Sequence, residues 1–266
     1  MIAQFLRDPE DKVAAGRPRY LSHSRVNRYL LCPEQYRLYY VENLRPTVPS
    51  ASLVFGQLVH QALAGLFLKQ VDPVKSFQES WAVVKGANLY YNQRESWERL
   101  SMSGEALLER FAEEEVDKIQ NIRTVEKPFE FGLSGLDLPF VGVIDLECDL
   151  EAKSTVVDFK TAGSGYDSHE VILSDQLSAY YLAQPGIAQV ALCVLVKTKA
   201  PKIEWHIARR SGGQLSEYLT KIGYVAREIS AGRFYKRPGT WCSWCDFLPV
   251  CVGDHKAAES SLIKVR

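Results

Sequence analysis

The hydrophobic period of the chain changes near residue 124, and this change limits the folds that the chain can adopt. Before that point, apolar residues recur at the three-to-four-residue spacing of helices. After it, residues 124–131, 138–146 and 154–160 form three apolar runs typical of strands, separated by residues 132–135 and 149–153. The pattern predicts an α/β fold in which a meander of three strands leads into a helix.

Further elements are predicted on both sides of the meander. Ser22 or Ser24 can cap a first helix, and the pair Cys32-Pro33 interrupts or kinks it. Other helices are predicted for residues 55–69, 73–91, 101–122, 174–183 and 215–231, and two more strands for residues 189–197 and 203–208. The helices at 73–91 and 101–122 are polar and acidic, which is typical of exposed helices that cover a core.

Length and composition exclude several classes of protein. A chain of 266 residues with 46% hydrophobic and 24% charged residues is neither disordered nor fibrous. Its longest apolar run, residues 190–196, is far shorter than the ~20 residues of a membrane helix, and residues 1–10 contain no apolar signal-peptide core. We therefore expect a cytoplasmic protein without a membrane. The chain has no G-x-x-x-x-G-K-[ST] loop, so an ATP-driven motor is not expected.

Charge is distributed unevenly along the chain, although 32 basic residues balance 32 acidic ones. Residues 72–151 hold 17 acidic and 8 basic side chains, whereas residues 194–266 hold 13 basic and 6 acidic ones. The N-terminal region is also rich in arginine: Arg17, Arg19, Arg25, Arg28, Arg37 and Arg45. These basic segments could bind a polyanion locally, or they could be ordinary solvated helix faces.

The six cysteines fall into two groups. Cys148 and Cys193 lie in apolar, strand-like runs, where a free cysteine is usually a small buried hydrophobe. The other group consists of Cys32 and of the C-x2-C-x5-C triplet Cys242, Cys245 and Cys251. The triplet leaves a tetrahedral metal centre one ligand short, and Cys32 is the leading candidate for the fourth. Zn²⁺ and a [4Fe-4S] cluster both accept four thiolates, and disulfides are less expected in the cytoplasm.

Carboxylates occur at the ends of two neighbouring predicted strands. Asp158 and Lys160 lie on one face of the strand at 154–160, because side chains alternate along a strand. Alone, this pair could be an ordinary surface ion pair. Asp145, however, ends the preceding apolar strand, and antiparallel pairing would bring the two acids together. Two carboxylates can hold Mg²⁺ or Mn²⁺ for phosphodiester hydrolysis, and Lys160 would orient the attacking water or neutralise the phosphate.

Taken in order, these motifs resemble a RecB-like nuclease of the PD-(D/E)xK superfamily. The resemblance is to its iron–sulfur branch, which includes CRISPR adaptation nucleases and the nuclease domains of recombination helicase-nucleases, and it covers residues 21–252. The motifs are Ser22-x-Ser24 with Cys32-Pro33, Gly56-x-x-x-His60, Gly142-Val143-Ile144-Asp145, Asp158-Phe159-Lys160, Gln176-x-x-x-Tyr180 and the cysteine triplet. Members of the family often have Glu at the position of Asp158, so the shorter acid could alter the spacing at the metal.

The resemblance implies a fold and a set of roles. The fold is a restriction-endonuclease-like core, with a mixed central sheet flanked by helices and with N- and C-terminal segments stapled by a cluster. Asp145, Asp158 and Lys160 would be catalytic, and His60, Asp145, Asp158 and the carbonyl of Phe159 would bind Mg²⁺ or Mn²⁺. Gln176 and Tyr180 would position the DNA backbone, and Gly56 would permit close approach of another backbone. Cys32, Cys242, Cys245 and Cys251 would hold a [4Fe-4S] cluster, which the resemblance favours over zinc.

The expected function follows from the same resemblance. It is a metal-dependent DNA nuclease, an exonuclease acting on single-stranded DNA or DNA ends in DNA repair, recombination or CRISPR adaptation, with a helicase or CRISPR integrase as a candidate partner. The alternative is a catalytically silent DNA-binding subunit of a helicase-nuclease or integration complex. The expected organisation is an N-terminal extension at 1–20, a nuclease domain at 21–253 with a helical insertion at about 72–122 and the C-terminal cysteines, and a tail at 254–266.

Overall fold

Helices surround a central sheet in the computed structural model, which describes residues 20–133 and 136–265. The strands are β1 (Leu44–Pro46), β2 (Ile119–Leu133), β3 (Leu136–Leu150), β4 (Lys153–Ala162), β5 (Gln189–Val196), β6 (Lys202–Ala208) and β7 (Leu262–Lys264). The helices are α1 (His23–Leu31), α2 (Pro33–Tyr36), α3 (Ala51–Lys69), α4 (Pro73–Val83), α5 (Trp97–Glu114), α6 (Ser168–Ile172), α7 (Asp175–Ala183), α8 (Gly212–Ser230), α9 (Leu248–Val252) and α10 (His255–Ser261).

The central sheet is mixed, with its strands in the order β2-β3-β4-β5-β6. Strands β2, β3 and β4 form the expected antiparallel meander, and Leu146 of β3 pairs with Val157 of β4. Strand β5 runs parallel to β4, and β6 returns antiparallel to β5. A parallel pair needs a crossover connection, which α6 and α7 provide between β4 and β5. The predicted mixed α/β sheet is therefore confirmed.

Helices cover both faces of the sheet, and the alternation of β4 separates the two cores. Val157 and Phe159 pack in the core formed with α3, α4 and α5. Val156 faces the opposite core, to which α1, α7 and α8 contribute. All eight residues of β5 are buried, as expected for a strand that is covered on both faces.

Helix α3 crosses the first of these cores. It begins at Ala51, four residues earlier than predicted, and it ends at Gln70, which adopts a left-handed conformation with a φ of 53°. Among the described residues, α3 is long and apolar enough to cross a membrane by length and composition alone. In this structure its apolar residues, such as Phe55 and Leu58, lie buried in the core.

Two predicted helices have different boundaries in the structure. The helix predicted at 73–91 ends at Val83, and Gly86, with a φ of 80°, lies in the turn that follows. The helix predicted at 101–122 ends at Glu114, because Ile119 already pairs with Leu150 as the start of β2. Both helices also supply large core side chains, among them Phe77, Trp81, Leu107 and Phe111. They therefore form the core with α3 and are not merely exposed helices around it.

The two ends of the described chain meet in a small second sheet. Strand β7 pairs antiparallel with β1, with Leu44 opposite Lys264. The segment expected to be a tail at 254–266 thus contains α10 and β7, and its strand pairing ties it to the N-terminal region. The expected extension at 1–20 lies outside the described residues except for Tyr20. Helix α1 is capped by Ser22, and Pro33 starts a new helix after Cys32, as predicted.

Candidate active site

Asp145 and Asp158 lie next to each other on adjacent strands. Leu146 of β3 pairs with Val157 of β4 in antiparallel register. Asp145 precedes Leu146 and Asp158 follows Val157, so this register brings the two acids opposite each other. The backbone N–H of Phe159 donates a hydrogen bond of 2.8 Å to Oδ2 of Asp145. Antiparallel pairing therefore brings together the two carboxylates that the sequence pattern singled out.

The carboxyl group of Asp145 lies in an environment that disfavours its charge. Burial raises its pKa from 3.8 to about 6, and the neighbouring Asp158 carboxylate acts in the same direction. This rise in pKa is partly offset by His60, by Lys160 and by the hydrogen bond from the N–H of Phe159. The imidazole Nδ1 of His60, delivered by α3, lies 3.5 Å from Oδ2 of Asp145. A bound cation would relieve the repulsion between the two carboxylates.

Both oxygens of Asp158 contact polar groups. The side chain is 1% exposed, and Oδ1 accepts hydrogen bonds of 2.8 Å from Nε2 of Gln176 and from the hydroxyl of Tyr180. Oδ2 lies 2.8 Å from Nζ of Lys160 in an ion pair. A buried carboxylate that is fixed in this way beside a second carboxylate is suited to bind a hard divalent cation.

Lys160 is held as a charged group beside the two acids. Its Nζ donates a hydrogen bond of 2.9 Å to Oε1 of Gln176. Burial opposes the ammonium charge, but the carboxylates of Asp158 and Asp145 outweigh burial, so the pKa of Lys160 is raised. The lysine therefore remains protonated at neutral pH and can stabilise negative charge on a phosphate.

Gln176 and Tyr180 both contact the carboxylate of Asp158. Tyr180 is 2% exposed, and its hydroxyl lies 2.8 Å from Asp158 and 3.2 Å from the carbonyl oxygen of Val143. Gln176 bridges Lys160 and Asp158, because its amide accepts from Lys160 and donates to Asp158 and Tyr180. These contacts orient Asp158, and the expected contact of both residues with the DNA backbone stays a prediction.

The missing side chain of Gly56 leaves room for a side chain of β4, not for a neighbouring backbone. A Cβ atom at this position of α3 would lie 3.1 Å from Oγ1 of Thr161 on β4. The expectation that Gly56 admits a neighbouring backbone is therefore wrong in detail. Its small size lets α3 pack closely on β4, one turn before His60.

His23 is a residue of this site that the sequence analysis missed. Its imidazole is half-buried at the start of α1, and its Nε2 lies 2.8 Å from Nδ2 of Asn27. Burial lowers its pKa to about 4, and the nearby charge of Lys160 contributes to the shift. Asp158, Asp175 and Lys221 also act on this imidazole. The feature of the sequence that points to His23 is its position between the two serines of the Ser22-x-Ser24 motif.

The arginines near the N-terminus pack largely against tyrosines. The guanidinium of Arg25 lies 3.8 Å from the ring centroid of Tyr20, and those of Arg28 and Arg45 lie 3.7 and 3.4 Å from that of Tyr39. Such cation–π contacts stabilise the packing of the helices that carry them. These arginines therefore stabilise the packing of the N-terminal region.

All six cysteines are free thiols, and their surroundings divide them as expected. Cys148 and Cys193 are fully buried, and burial raises the pKa of Cys148 to about 12 and that of Cys193 well above its usual value. The other four are half-buried: Cys32, Cys242, Cys245 and Cys251.

The segment after α1 contacts the C-terminal cysteines. Nε2 of Gln35 donates a 3.5 Å hydrogen bond to Sγ of Cys245. Burial raises the pKa of Cys251, whereas the charge of Lys236 opposes the shift and Cys245, Glu34 and Cys32 add to it.

Neither metal centre is assembled in the described residues. In residues 20–133 and 136–265, no three His, Cys, Asp or Glu side chains form a ready metal-binding group. Two adjacent buried carboxylates are nevertheless donors that suit a hard divalent ion. Four thiols are the residue types that a zinc ion or an iron–sulfur cluster accepts.

A mixed sheet with two acids and a lysine at adjoining strand positions is the arrangement that the resemblance to PD-(D/E)xK nucleases implies. A comparison with protein families finds a match to the PD-(D/E)XK nuclease superfamily over residues 20–252. Because the match covers most of the chain, the protein belongs to this superfamily and is a nuclease.

Solved structures show a similar fold. A protein from Eubacterium rectale named "Putative exonuclease" is 13% identical, with a TM-score of 0.59, and the alignment covers 90% of this chain and 92% of that one. A protein named SSO0001 is 16% identical, with a TM-score of 0.47 and coverage of 94% and 96%. A comparison with curated proteins finds no match. At these identities, the Eubacterium rectale structure supports the fold alone.

Proposed function

We propose that the protein is a divalent-metal-dependent deoxyribonuclease that removes nucleotides from single-stranded DNA or DNA ends. The observation that carries this proposal is the adjacent pair of carboxylates, Asp145 and Asp158. Oδ1 of Asp158 is fixed by Gln176 and Tyr180, and its Oδ2 is ion-paired with Lys160. Such a carboxylate is oriented in advance for a cation, which is how rigid sites maintain catalytic geometry.

The residues that would hold the ion are Asp145 and Asp158, with His60 and the carbonyl of Phe159 as further ligands. Mg²⁺ or Mn²⁺ fits this oxygen-rich set, and the ion, when bound, would lower the pKa of a water and offset charge on the phosphate. Gln176 keeps Lys160 and Asp158 in a fixed relation through hydrogen bonds of 2.9 and 2.8 Å. Lys160 would then orient the attacking water or neutralise the charge that develops on the phosphate.

The comparisons support nuclease chemistry, and the resemblance of the motifs to RecB-like nucleases is the ground for proposing DNA ends as the substrate. The superfamily match supports nuclease chemistry, and a protein with a similar fold bears the name of an exonuclease. The chain lacks a G-x-x-x-x-G-K-[ST] loop, so we propose that a helicase or a CRISPR integrase is its partner in DNA repair, recombination or CRISPR adaptation. Asp145, Asp158 and Lys160 are all present, which disfavours the catalytically silent alternative.

We further propose that Cys32, Cys242, Cys245 and Cys251 hold a [4Fe-4S] cluster, which places the protein in the iron–sulfur branch of RecB-like nucleases. The support is the hydrogen bond from Gln35 to Sγ of Cys245, which brings the segment after Cys32 to the C-terminal triplet. The cluster would be structural, since it would tie the segment after α1 to the C-terminal segment. A cytoplasmic location agrees with thiols that remain reduced.

The test of catalysis is digestion of end-labelled single- and double-stranded DNA by anaerobically purified protein in Mg²⁺ and in Mn²⁺. Asp158→Asn should abolish cleavage while the protein stays folded, because the amide keeps the shape of the carboxylate but loses its charge. The matched control is Asp117→Asn, which changes an exposed aspartate outside the site and should cleave like the wild type. Wild-type cleavage by Asp158→Asn in both metals would overturn the proposed site.

The test of the cluster is elemental analysis of the same preparations. Iron and acid-labile sulfide should be present in the wild type, retained in Cys148→Ser and lost from Cys32→Ser. Stoichiometric zinc without sulfide would contradict the cluster.

A further inference from the structure

A groove of about 650 Å³ lies between α8 and the end of α1. Its lining includes Leu30 of α1 and a face of α8 that carries Ser216, Thr220, Lys221 and Tyr224. These α8 positions follow one another at intervals that place them on one side of a helix. From Gly213 to Val225, the lined part of α8 is about 18 Å long at 1.5 Å per residue. We call this feature the α1/α8 groove.

The α1/α8 groove is linked to the candidate active site through one hydrogen bond and the start of α7. Lys221, which lines the groove, donates a hydrogen bond from Nζ to Oδ1 of Asp175. Asp175 is followed directly by Gln176, whose amide bonds to both Lys160 and Asp158. The groove therefore adjoins the N-terminal end of the helix that carries Gln176.

Helix α1 lies between the groove and the candidate active site. It packs against α7, which carries Gln176, and against α8, whose face lines the groove. Its Leu30 is part of the lining. The groove and the site therefore lie beside the same helix.

The groove carries the groups that bind an unpaired nucleotide. The ring of Tyr224 is 62% exposed, and the guanidinium of Arg227 lies 4.9 Å from its centroid. The side chain of Lys221 is 42% exposed, and its ammonium, one of whose N–H groups bonds to Asp175, has further N–H donors for a phosphate. Exposed aromatic rings stack on bases of any sequence, and adjacent cations contact phosphates. Glu217 contributes a carboxylate to the lining, which opposes an anionic ligand.

We propose that the α1/α8 groove holds the single strand of the DNA substrate beside the cleavage site, with Tyr224 stacking on a base and Lys221 contacting the backbone. This inference rests on the proposed nuclease function and specifies the path of its substrate. At 3.4 Å per stacked nucleotide, the lined length of about 18 Å accommodates about five nucleotides. Tyr224 is therefore a specificity-determining residue for unpaired DNA.

The test measures binding separately from cleavage. Fluorescence anisotropy with a labelled oligo(dT) strand is recorded for full-length Asp158→Asn protein with and without Tyr224→Ala. Loss of the stacking ring should weaken binding about tenfold, whereas Tyr224→Phe should bind as before because it keeps an aromatic face. The matched control is Tyr90→Ala, which removes a tyrosine that is 63% exposed outside the groove and should leave binding unchanged.

Two charge variants test the same path. Lys221→Ala should reduce the slope of log affinity against log salt by about 0.7, the value for one phosphate contact on a single strand. Glu217→Gln should strengthen binding, because it removes a repulsive carboxylate from the groove.

The outcomes distinguish this inference from the proposed function. If the wild type cleaves DNA and Tyr224→Ala binds oligo(dT) as tightly as Tyr90→Ala does, the groove is not the path of the strand and the inference is wrong. If the wild type cleaves no DNA in either metal, the proposed function fails, whereas a tenfold loss of binding in Tyr224→Ala still supports the groove.

Discussion

The phenolic oxygen of Tyr180 lies 2.8 Å from Oδ1 of Asp158 in the interior of the protein, where both side chains are shielded from water. Gln176, one helical turn earlier on α7, contacts the same oxygen. The Gln-x-x-x-Tyr motif therefore acts as a support that orients a carboxylate, and its Gln176 member extends that support to Lys160.

Tyr180→Phe should lower kcat by about tenfold with little change in KM, because it removes one of the two hydrogen bonds that orient Asp158. The edge-to-face contact of the ring with Phe129 does not need the hydroxyl, so the fold should be retained. Steady-state cleavage of end-labelled DNA gives both constants, and Tyr181→Phe is the neighbouring control. A variant that raises KM and leaves kcat unchanged would favour the predicted contact of Tyr180 with DNA.

Replacing two helical glycines with alanine should change the stability of the protein in opposite directions. A Cβ at Gly104 of α5 would lie 2.4 Å from the ring of Phe77 and 3.1 Å from that of Phe55, so Gly104→Ala should cost about 1–3 kcal/mol of stability. A Cβ at Gly65 of α3 has nothing within 4 Å, so Gly65→Ala should gain about 0.5–1 kcal/mol. Urea unfolding of both variants gives the comparison. Equal effects would show that α5 does not pack on α4 as described.

Thiol labelling should modify the four half-buried cysteines and leave the two buried ones unmodified. In metal-free native protein at pH 8, iodoacetamide should alkylate the half-buried thiols, which are Cys32, Cys242, Cys245 and Cys251. Cys148 and Cys193 should resist, because they are buried and their raised pKa keeps them protonated. Peptide mass spectrometry identifies the labelled sites, and labelling in urea provides the six-site control. Rapid native labelling of Cys193 would contradict its position in β5.

The pairing of Asp145 with Asp158 could be predicted from sequence because it depends on local rules. Two apolar runs separated by a short turn form adjacent antiparallel strands, and the period of two fixes which side chains share a face. The same rules locate the break at Cys32-Pro33, where proline ends one helix and starts another.

Other features depend on contacts between distant segments, which leave no local pattern. The role of Tyr180 is set by its burial against β3 and β4, and its spacing from Gln176 alone is equally compatible with a surface contact. The strand in residues 262–264 forms only because Leu44–Pro46 offers it a partner. His23 was missed because a single histidine among polar residues gives no sign that Lys160 and Lys221 lie near it.

An almost buried ion pair links the loop before α5 to the end of β5. Oε1 of Glu95 accepts hydrogen bonds from Nζ of Lys197 at 2.9 Å and from the hydroxyl of Ser52. The side chains of Lys197 and Glu95 are 12% and 9% exposed. Burial opposes the charge of Glu95, but the hydrogen bonds from Ser52 and Lys197 outweigh it and lower its pKa below the usual 4.5.

The effect of Glu95→Gln on stability should therefore depend on pH. A carboxyl group whose pKa is lower in the folded state stabilises the protein above its unfolded pKa, and this contribution is lost as the pH falls through the folded pKa. At pH 7, Glu95→Gln should cost about 3 kcal/mol, because Lys197 is left buried without its partner. The cost should shrink as the pH falls below 4.5, since the wild-type carboxyl is then also neutral. Urea unfolding of both proteins between pH 7 and pH 3 measures this difference, with Glu79→Gln on the exposed surface of α4 as the control. A difference that stays constant over this range would show that the charge of Glu95 does not contribute to the stability of the fold.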